Sequence, residues 1–250
     1  MAEQYSRSHV WVRKQLYTIT VPTSIIVPQP TVAIADTTFW GRHYGVCVFR
    51  SSELKRNIWW HEVISELMAH YYYAKKILET KGWVFTAAVV DGRRGLFNVF
   101  KGIPVQMCQF HQIKIVIRYI TTRPKTEAGK ELLAIVSTLT ETTEVAFALA
   151  FKAWHTKWES FINEKTVSTF ISSKTTSYYT HKGVYSAYHS LKRNLPYLFT
   201  YQKYPELNIP NTTNDLDGSF SNLKKKLSAH HGLRKDRRFK IISEILRGRA

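Results

Sequence analysis

The chain has 250 residues, with 36 Lys and Arg against 18 Asp and Glu, a formal net charge of +18 and a pI near 9.9. Its 44% hydrophobic and 14% aromatic content can fill a sizeable core, which excludes a disordered basic tail. So large a positive excess also excludes an ordinary acidic cytosolic enzyme and implies a polyanionic partner, either nucleic acid or an anionic membrane surface.

Two cysteines, Cys47 and Cys108, are too few for a disulfide framework and fit a reducing cytoplasm. Residues 1–8 have no apolar core of signal-peptide type. No stretch approaches the roughly 18 uninterrupted apolar residues of a membrane span. The basic residues are not interleaved with a Trp/Leu face of the lipid-binding kind. The expectation is therefore a soluble, cytoplasmic protein that faces nucleic acid and not a membrane.

Along the chain, residues 5–16 read as the recognition helix of a helix-turn-helix whose earlier helices are missing, with a linker to residue 30. An apolar run at 31–35 ends at Asp36, and a second at 84–90 ends at Asp91. Both are short, β-branched and continuous, as strands buried on both faces are. An acid at the end of such a strand stands where open α/β folds place ligands. Between them come strand candidates at 44–50 and 57–60. A helix follows at 63–80, with Ile64, Leu67, Met68, Tyr71, Ala74 and Leu78 at helical spacing and Gly82 as its stop.

After Asp91 the pattern predicts a short helix around 95–101, a strand at 103–108, and a helix with Ile113, Val116, Ile117 and Ile120 on one stripe. Alternation of strands and helices makes a mixed α/β sheet the expected centre of the first part, 31–123. From 124 to 205 the character changes. Phe147, Phe151, Trp154, Trp158 and Phe161 keep a helical stripe, and the Ser/Thr-rich stretch 165–180 reads as loop, so an all-helical insertion is expected. Residues 206–250 complete the core with a helix that begins at the cap cluster 211–214 and buries Leu216, Phe220, Leu223 and Leu227.

Asp36, Asp91 and Asp217 are the candidate catalytic and metal-binding residues. Three carboxylates meeting at a sheet edge repel one another unless cations hold them, and hard oxygen donors favour Mg²⁺ or Mn²⁺. Two such ions suit phosphodiester chemistry. Each acid also has a structural alternative: a turn at Asp36, the turn dipeptide Asp91-Gly92, and a helix cap at Asp217. Cys108 and His111, spaced Cys-x-x-His, make half a zinc site without a second half. His111 is expected to orient the acids or touch phosphate, the alternative being a core cysteine with a capping histidine. Arg42, Arg93 and Arg94 flank the acids. Residues 220–250 hold ten Lys and Arg against two acids, among them Lys224, Lys225, Arg234, Lys235, Arg237 and Arg238, a pattern suited to sequence-independent phosphate binding. Trp40, Trp154 and Trp158 are candidates for base stacking, against a core role.

Four blocks carry a resemblance: Ala35-Asp-Thr-Thr-Phe-Trp-Gly-Arg42, Asp91-Gly-Arg-Arg-Gly-Leu96, Ile103-Pro-Val-Gln-Met-Cys-Gln-Phe-His111 and Asn211-Thr-Thr-Asn-Asp-Leu-Asp-Gly-Ser-Phe-Ser-Asn-Leu-Lys224. In content and order they resemble the catalytic blocks of mutator-type bacterial insertion-sequence transposases, over residues 31–247. The resemblance implies a ribonuclease-H-like fold with a helical insertion. It further implies an acidic triad holding two divalent ions, DNA ends and target DNA as partners, and homodimers or larger assemblies in the bacterial cytoplasm. Cys108 and His111 match another hallmark of the family. The departure is Asp217, where the family usually carries Glu; Asp215 is the fallback. Two other readings stay open: an inactive remnant that binds element ends, and a ribonuclease-H-like nuclease or resolvase.

Overall fold

The structure is a computed structural model that describes residues 6–11, 14, 26–93, 95–169, 175–228 and 234–248. Five residues of the expected N-terminal helix (5, 12, 13, 15 and 16), and Arg94, lie outside them; His9, Val10, Trp11 and Lys14 are helical.

At the centre is a five-stranded sheet made of β1 (Pro30–Phe39), β2 (Gly45–Ser51), β3 (Arg56–Val63), β4 (Val84–Val90) and β5 (Val105–Met107), in the order β3-β2-β1-β4-β5. β1 pairs antiparallel with β2 and parallel with β4, β2 pairs antiparallel with β3, and β4 pairs parallel with β5. This is the mixed α/β sheet that the sequence implied. Both faces are covered, which explains the continuous apolar runs. Ala33, Ala35, Cys47, Phe49, Ala88 and Val90 pack with Tyr71, Ala74 and Leu78 of α1 (Met68–Thr80) and with Leu96 and Val99 of the short α2 (Leu96–Val99). Val32, Ile34, Val46, Val48, Ala87 and Val89 pack on the other face against α8 (Asn214–Ser228) and α9 (Lys235–Arg247).

Between β5 and α8 run α3 (Gln109–Ile120), α4 (Glu127–Ser137), α5 (Glu144–Asn163), α6 (Lys182–Leu198) and α7 (Thr200–Lys203). They enclose their own cluster, in which Leu132, Phe147, Ile162 and Leu191 are almost fully buried. Thr126 and Thr143 start α4 and α5 by accepting from the amides of Gly129 and Ala146, and Glu127 and Glu144 sit in the first turns where the helix dipole favours acids.

Two expectations change. The stretch 165–180 is not simply loop, because it contains an antiparallel ribbon of β6 (Lys165–Thr169) and β7 (Thr175–Tyr179). Its Thr, Val and Tyr residues favour extended backbone, whatever their polarity. The helix expected at 63–80 begins only at Met68, because Val63 still pairs with Gly45 in the sheet; Ile64 and Leu67 are exposed.

A buried polar seam ties the return of this helical region to the β5–α3 corner. Gln106 Nε2 and Gln109 Nε2 both donate to Leu198 O, at 2.9 and 2.8 Å. Thr200 Oγ1 donates to Val105 O at 2.7 Å, and Asn194 Nδ2 to Gln112 Oε1 at 2.7 Å. The lead into α8 is held likewise: Gln109 N donates to Asn211 O, and Asn211 Nδ2 donates to Gln109 Oε1, each at 3.0 Å. Gln109→Ala removes two of these hydrogen bonds while Leu198 O keeps Gln106 and Asn211 Nδ2 keeps Thr140 O at 3.4 Å, so each loss costs about 0.5–1.5 kcal/mol. Urea unfolding of the variant should give a lower midpoint at an unchanged slope; an unaltered midpoint would mean that the seam does not stabilise the fold.

Candidate active site

Asp36 lies on β1 two residues beyond Ile34, and Asp91 follows β4 two residues beyond Val89; Ile34 and Val89 are register partners. The same two-residue step along both strands therefore puts both carboxylates at one level, on the face that α8 covers. That level depends on a one-residue irregularity. Thr31 pairs with Phe85 but Val32 with Ala87, so β4 holds one extra residue, Thr86, which resets its side-chain alternation. Asp217, in the first turn of α8, reaches the same place because Leu216, Phe220, Leu223 and Leu227 fix that helix on the sheet.

The acids form two overlapping groups. Ligand atoms of Asp36, His111 and Asp217 lie within 4.8 Å of one another, and so do those of Asp36, Glu66 and Asp91. Asp36 belongs to both. The structure thus brings together Asp36, Asp91, Asp217 and His111 as the sequence suggested, and adds Glu66. That residue sits between β3 and α1, accepts from Tyr71 Oη at 2.7 Å, and is ion-paired with Arg93. No spacing rule marks it, since in sequence it is one acid in an ordinary strand-to-helix connection. Asp215, the fallback, is exposed and outside both groups.

Local hydrogen bonds aim the side chains. Asp36 Oδ1 accepts from the Thr37 amide at 2.8 Å, and Asp91 Oδ1 from the Arg93 amide at 3.0 Å. The Thr213 hydroxyl bridges Asp217 Oδ2 at 3.0 Å and Cys108 Sγ at 3.3 Å. Cys108 is buried at the start of α3 and also accepts from the Thr213 amide at 3.3 Å. The Cys-x-x-His pair is thus neither half a zinc site nor simple core: the thiol anchors the loop that carries Asp217, and His111 stands among the carboxylates.

Electrostatics reflect the crowding. Burial pushes the Asp36 carboxyl up from 3.8 to about 7; His111 opposes this, while Asp91 and Asp217 add to it. Asp91 is raised too, by burial and then by Glu66. Burial disfavours the His111 imidazolium, yet Cys108, Asp36 and Asp217 outweigh it and raise the group to about 9. Burial works against the Cys108 thiolate, but His111 and Thr213 hold its pKa below the ordinary value. His111 is thus the cation that lets Asp36 and Asp217 share one space. Its Nδ1 is buried without a hydrogen-bond partner among the described residues. The crowded carboxylates are a donor set that suits Mg²⁺ or Mn²⁺.

The other candidates divide. Arg42 is exposed in the turn after β1, and Lys224 and Lys225 on the outer face of α8. Arg234 is exposed 3.7 Å from Asp236. Lys235 and Arg238 line an open cavity of about 400 Å³ with His43, Tyr44 and Ile64, and Arg238 lies 5.2 Å from the Tyr44 ring centre. Arg237 is partly buried on α9. Arg93 is committed to Glu66. Trp154 is core, with Nε1 donating to Ala128 O at 2.9 Å; Trp158 donates to Glu131 at 2.8 Å, and Trp40 packs on Tyr44. Only Trp154 is buried; Trp40 and Trp158 are partly exposed.

No family model matches this chain, and no curated protein does. Among solved structures, the chain is similar to the Drosophila P element transposase strand transfer complex, at 10% identity and a TM-score of 0.42 over 97% of this chain and 86% of that one. It is also similar to the large terminase nuclease from thermophilic phage G20c, at 11% identity and a TM-score of 0.22 over 65% of this chain and 82% of that one. Likenesses this distant carry no argument about activity, which rests on the residues of this chain.

Asp36 gives a pH signature. Its folded pKa of about 7 lies above the ordinary 3.8, so its contribution to stability is fully present below pH 3.8 and is lost as pH rises through 7. In EDTA, Asp36→Asn should melt several degrees above the wild type at pH 8, with the gap closing toward pH 4. Thermal unfolding at the two pH values checks this; a gap independent of pH would contradict it.

Proposed function

We propose that the chain is a DNA transposase of the mutator-type insertion-sequence kind, which cleaves the ends of a mobile element and joins them to target DNA. The observation that carries this reading is Asp36, shared between two groups of metal-ligand atoms at the edge of a ribonuclease-H-like sheet. Asp91 and Glu66 would complete one cation position and Asp217 and His111 the other. Divalent ions bound there supply Lewis acidity for an attacking water and for the leaving oxygen of a phosphodiester. The protein's part is positioning. Strand register and the Thr37 and Arg93 amides aim Asp36 and Asp91, while Thr213 and Cys108 aim Asp217.

His111 acts as the counter-charge of the metal-free site and gives up that role when cations enter. Asp217 is one methylene shorter than the usual Glu, but its carboxylate reaches the same group as Asp36. Arg42, Arg94, Lys224, Lys225, Arg234, Lys235, Arg237 and Arg238 are assigned to phosphates of bound DNA, with Arg93 holding Glu66 beside them. The fold has a first core part at 31–123, an insertion at 124–205 and a closing part at 206–250, preceded by a segment at 1–30 that contacts element ends, and it works as a dimer or larger assembly on paired ends.

The test is cleavage of a labelled duplex carrying the inverted repeats that flank the gene, in Mg²⁺, Mn²⁺ or EDTA. Nicking at the repeat boundary should need metal and vanish in Asp36→Ala and Asp91→Ala, with DNA affinity largely intact. Cleavage retained in either variant would overturn the assignment. Cutting without regard to the repeats would favour a general nuclease, and binding without cutting under any metal would favour a remnant. Glu66→Gln should slow cleavage roughly tenfold at limiting Mn²⁺ and recover at high Mn²⁺, as expected of a residue that shapes a metal site without being its main ligand.

A further inference from the structure

From Lys165 to Pro205 the sequence contains no Asp or Glu, yet it holds Lys165, Lys174, Lys182, Lys192, Arg193 and Lys203. A solvated helix face would alternate its charges. In the structure this stretch is the ribbon β6–β7 and the helix α6, and a ladder of planar rings runs from its outer side, at Tyr179, Tyr185 and His189, into the core at Tyr188. Tyr179 stacks on Tyr185 with centroids 3.7 Å apart, Tyr185 lies 4.2 Å from His189, His189 lies 5.0 Å from Tyr188, and Tyr188 stacks on His155 at 4.4 Å. Lys165 and Lys192 stand 5.3 and 5.7 Å from the rings of Tyr179 and Tyr188. Among the described residues, none of Lys165, Lys182, Lys192 and Arg193 is ion-paired, and the nearby Glu164 is engaged by His181 at 2.9 Å.

The rings have already spent their faces on one another. What Tyr179, Tyr185 and His189 leave for a partner is polar edges held by stacking and by a hydrogen bond between the Tyr179 and Tyr185 side chains, next to cations without an ion pair among the described residues. Polar edges and cations bind phosphates; free faces would be needed to bind bases. The helix also leads to the acids. Asn194 on α6 lies with Nδ2 3.4 Å from where a Cβ on Gly92 would stand, directly beside Asp91. His189 and Tyr185 are five and nine residues back from Asn194, about 7.5 and 13.5 Å along the axis at 1.5 Å per residue, and they face outward on the side of the helix roughly opposite the buried Asn194.

We propose that the outer side of α6 and β7 is a backbone track for duplex DNA, in which Lys182, Lys192 and Arg193, with the edges of Tyr179, Tyr185 and His189, grip phosphates a few base pairs from the bond at the acids. The inference deepens the function proposed above and rests on it for the identity of the partner. A track of this kind is blind to sequence, and each cation that meets a phosphate adds about 0.9 to the steepness of the salt dependence.

Binding of a short random-sequence DNA duplex to the full chain in EDTA, followed across salt concentrations by fluorescence anisotropy, tests it. Lys192→Gln with Arg193→Gln should flatten the salt slope by about 1.8, two cations at about 0.9 each. Lys76→Gln with Lys81→Gln, the same charge change at exposed sites on and after α1, should leave the slope unchanged. Tyr185→Phe keeps the stack but loses the hydroxyl, and should weaken binding severalfold at an unchanged slope. Equal slopes for all the charge variants, or a loss that depends on base composition, would overturn the track. A chain that loses slope as expected but never cleaves with metal would sink the transposase reading and leave the track standing. One that cleaves while its slope ignores Lys192 and Arg193 would do the reverse.

Discussion

The site depends on strand register. Side chains alternate across a sheet with a period of two, so a slip of one residue moves a whole row to the opposite face. Before the irregularity β1 and β4 are offset by 54 residues (85 − 31), and after it by 55 (87 − 32). Under the first offset Asp91 would lie level with Thr37, whose hydroxyl meets Tyr71 on the α1 side of the sheet. Under the second it lies level with Asp36 and beneath α8. Thr86, a residue with no chemistry of its own, thus decides on which face the acids meet.

Once two buried carboxylates share a face, the surroundings follow from what their charge requires. Burial holds protons on Asp36, and the imidazolium of His111 supplies local countercharge. Arg93 does the same for Glu66 from the solvent side. The thiol of Cys108, fully buried, is an acceptor that the Thr213 backbone and hydroxyl both use, which explains why a cysteine fits where a larger polar group would crowd the start of α8. A motif that looks like an unfinished metal site is thus a fastening for the third acid.

Much of this was legible in the sequence, for a physical reason. Asp36 and Asp91 end uninterrupted apolar runs, and such runs can only be strands covered on both faces, which places their ends at a sheet edge. The stripe Leu216, Phe220, Leu223 and Leu227 likewise fixed the orientation of Asp217. The extra residue in β4 left no trace, because in Val84-Phe-Thr-Ala-Ala-Val-Val90 both faces are apolar and alternation cannot be read. Glu66 stayed hidden because its role comes from the meeting of three strands' ends. The glutamine seam is invisible in the sequence because Gln106 and Gln109 find partners about ninety residues away, and the ribbon hides behind a polar composition because its Thr, Val and Tyr favour extended backbone whatever their polarity.

The seam and the fastening at Cys108 also bear on how the protein is made. Asp217 follows Asp91 by 126 residues (217 − 91), all of which must leave the ribosome before α8 can dock. At about 5–20 residues per second, synthesis of that span takes about 6–25 s. Throughout that time a nascent chain exposes Asp36 and Asp91 without their third companion, and the contacts of Asn211 with Gln109 and of Thr213 with Cys108 that carry Asp217 cannot yet form. Vectorial synthesis therefore keeps the acid set incomplete until the segment that forms α8 has been made.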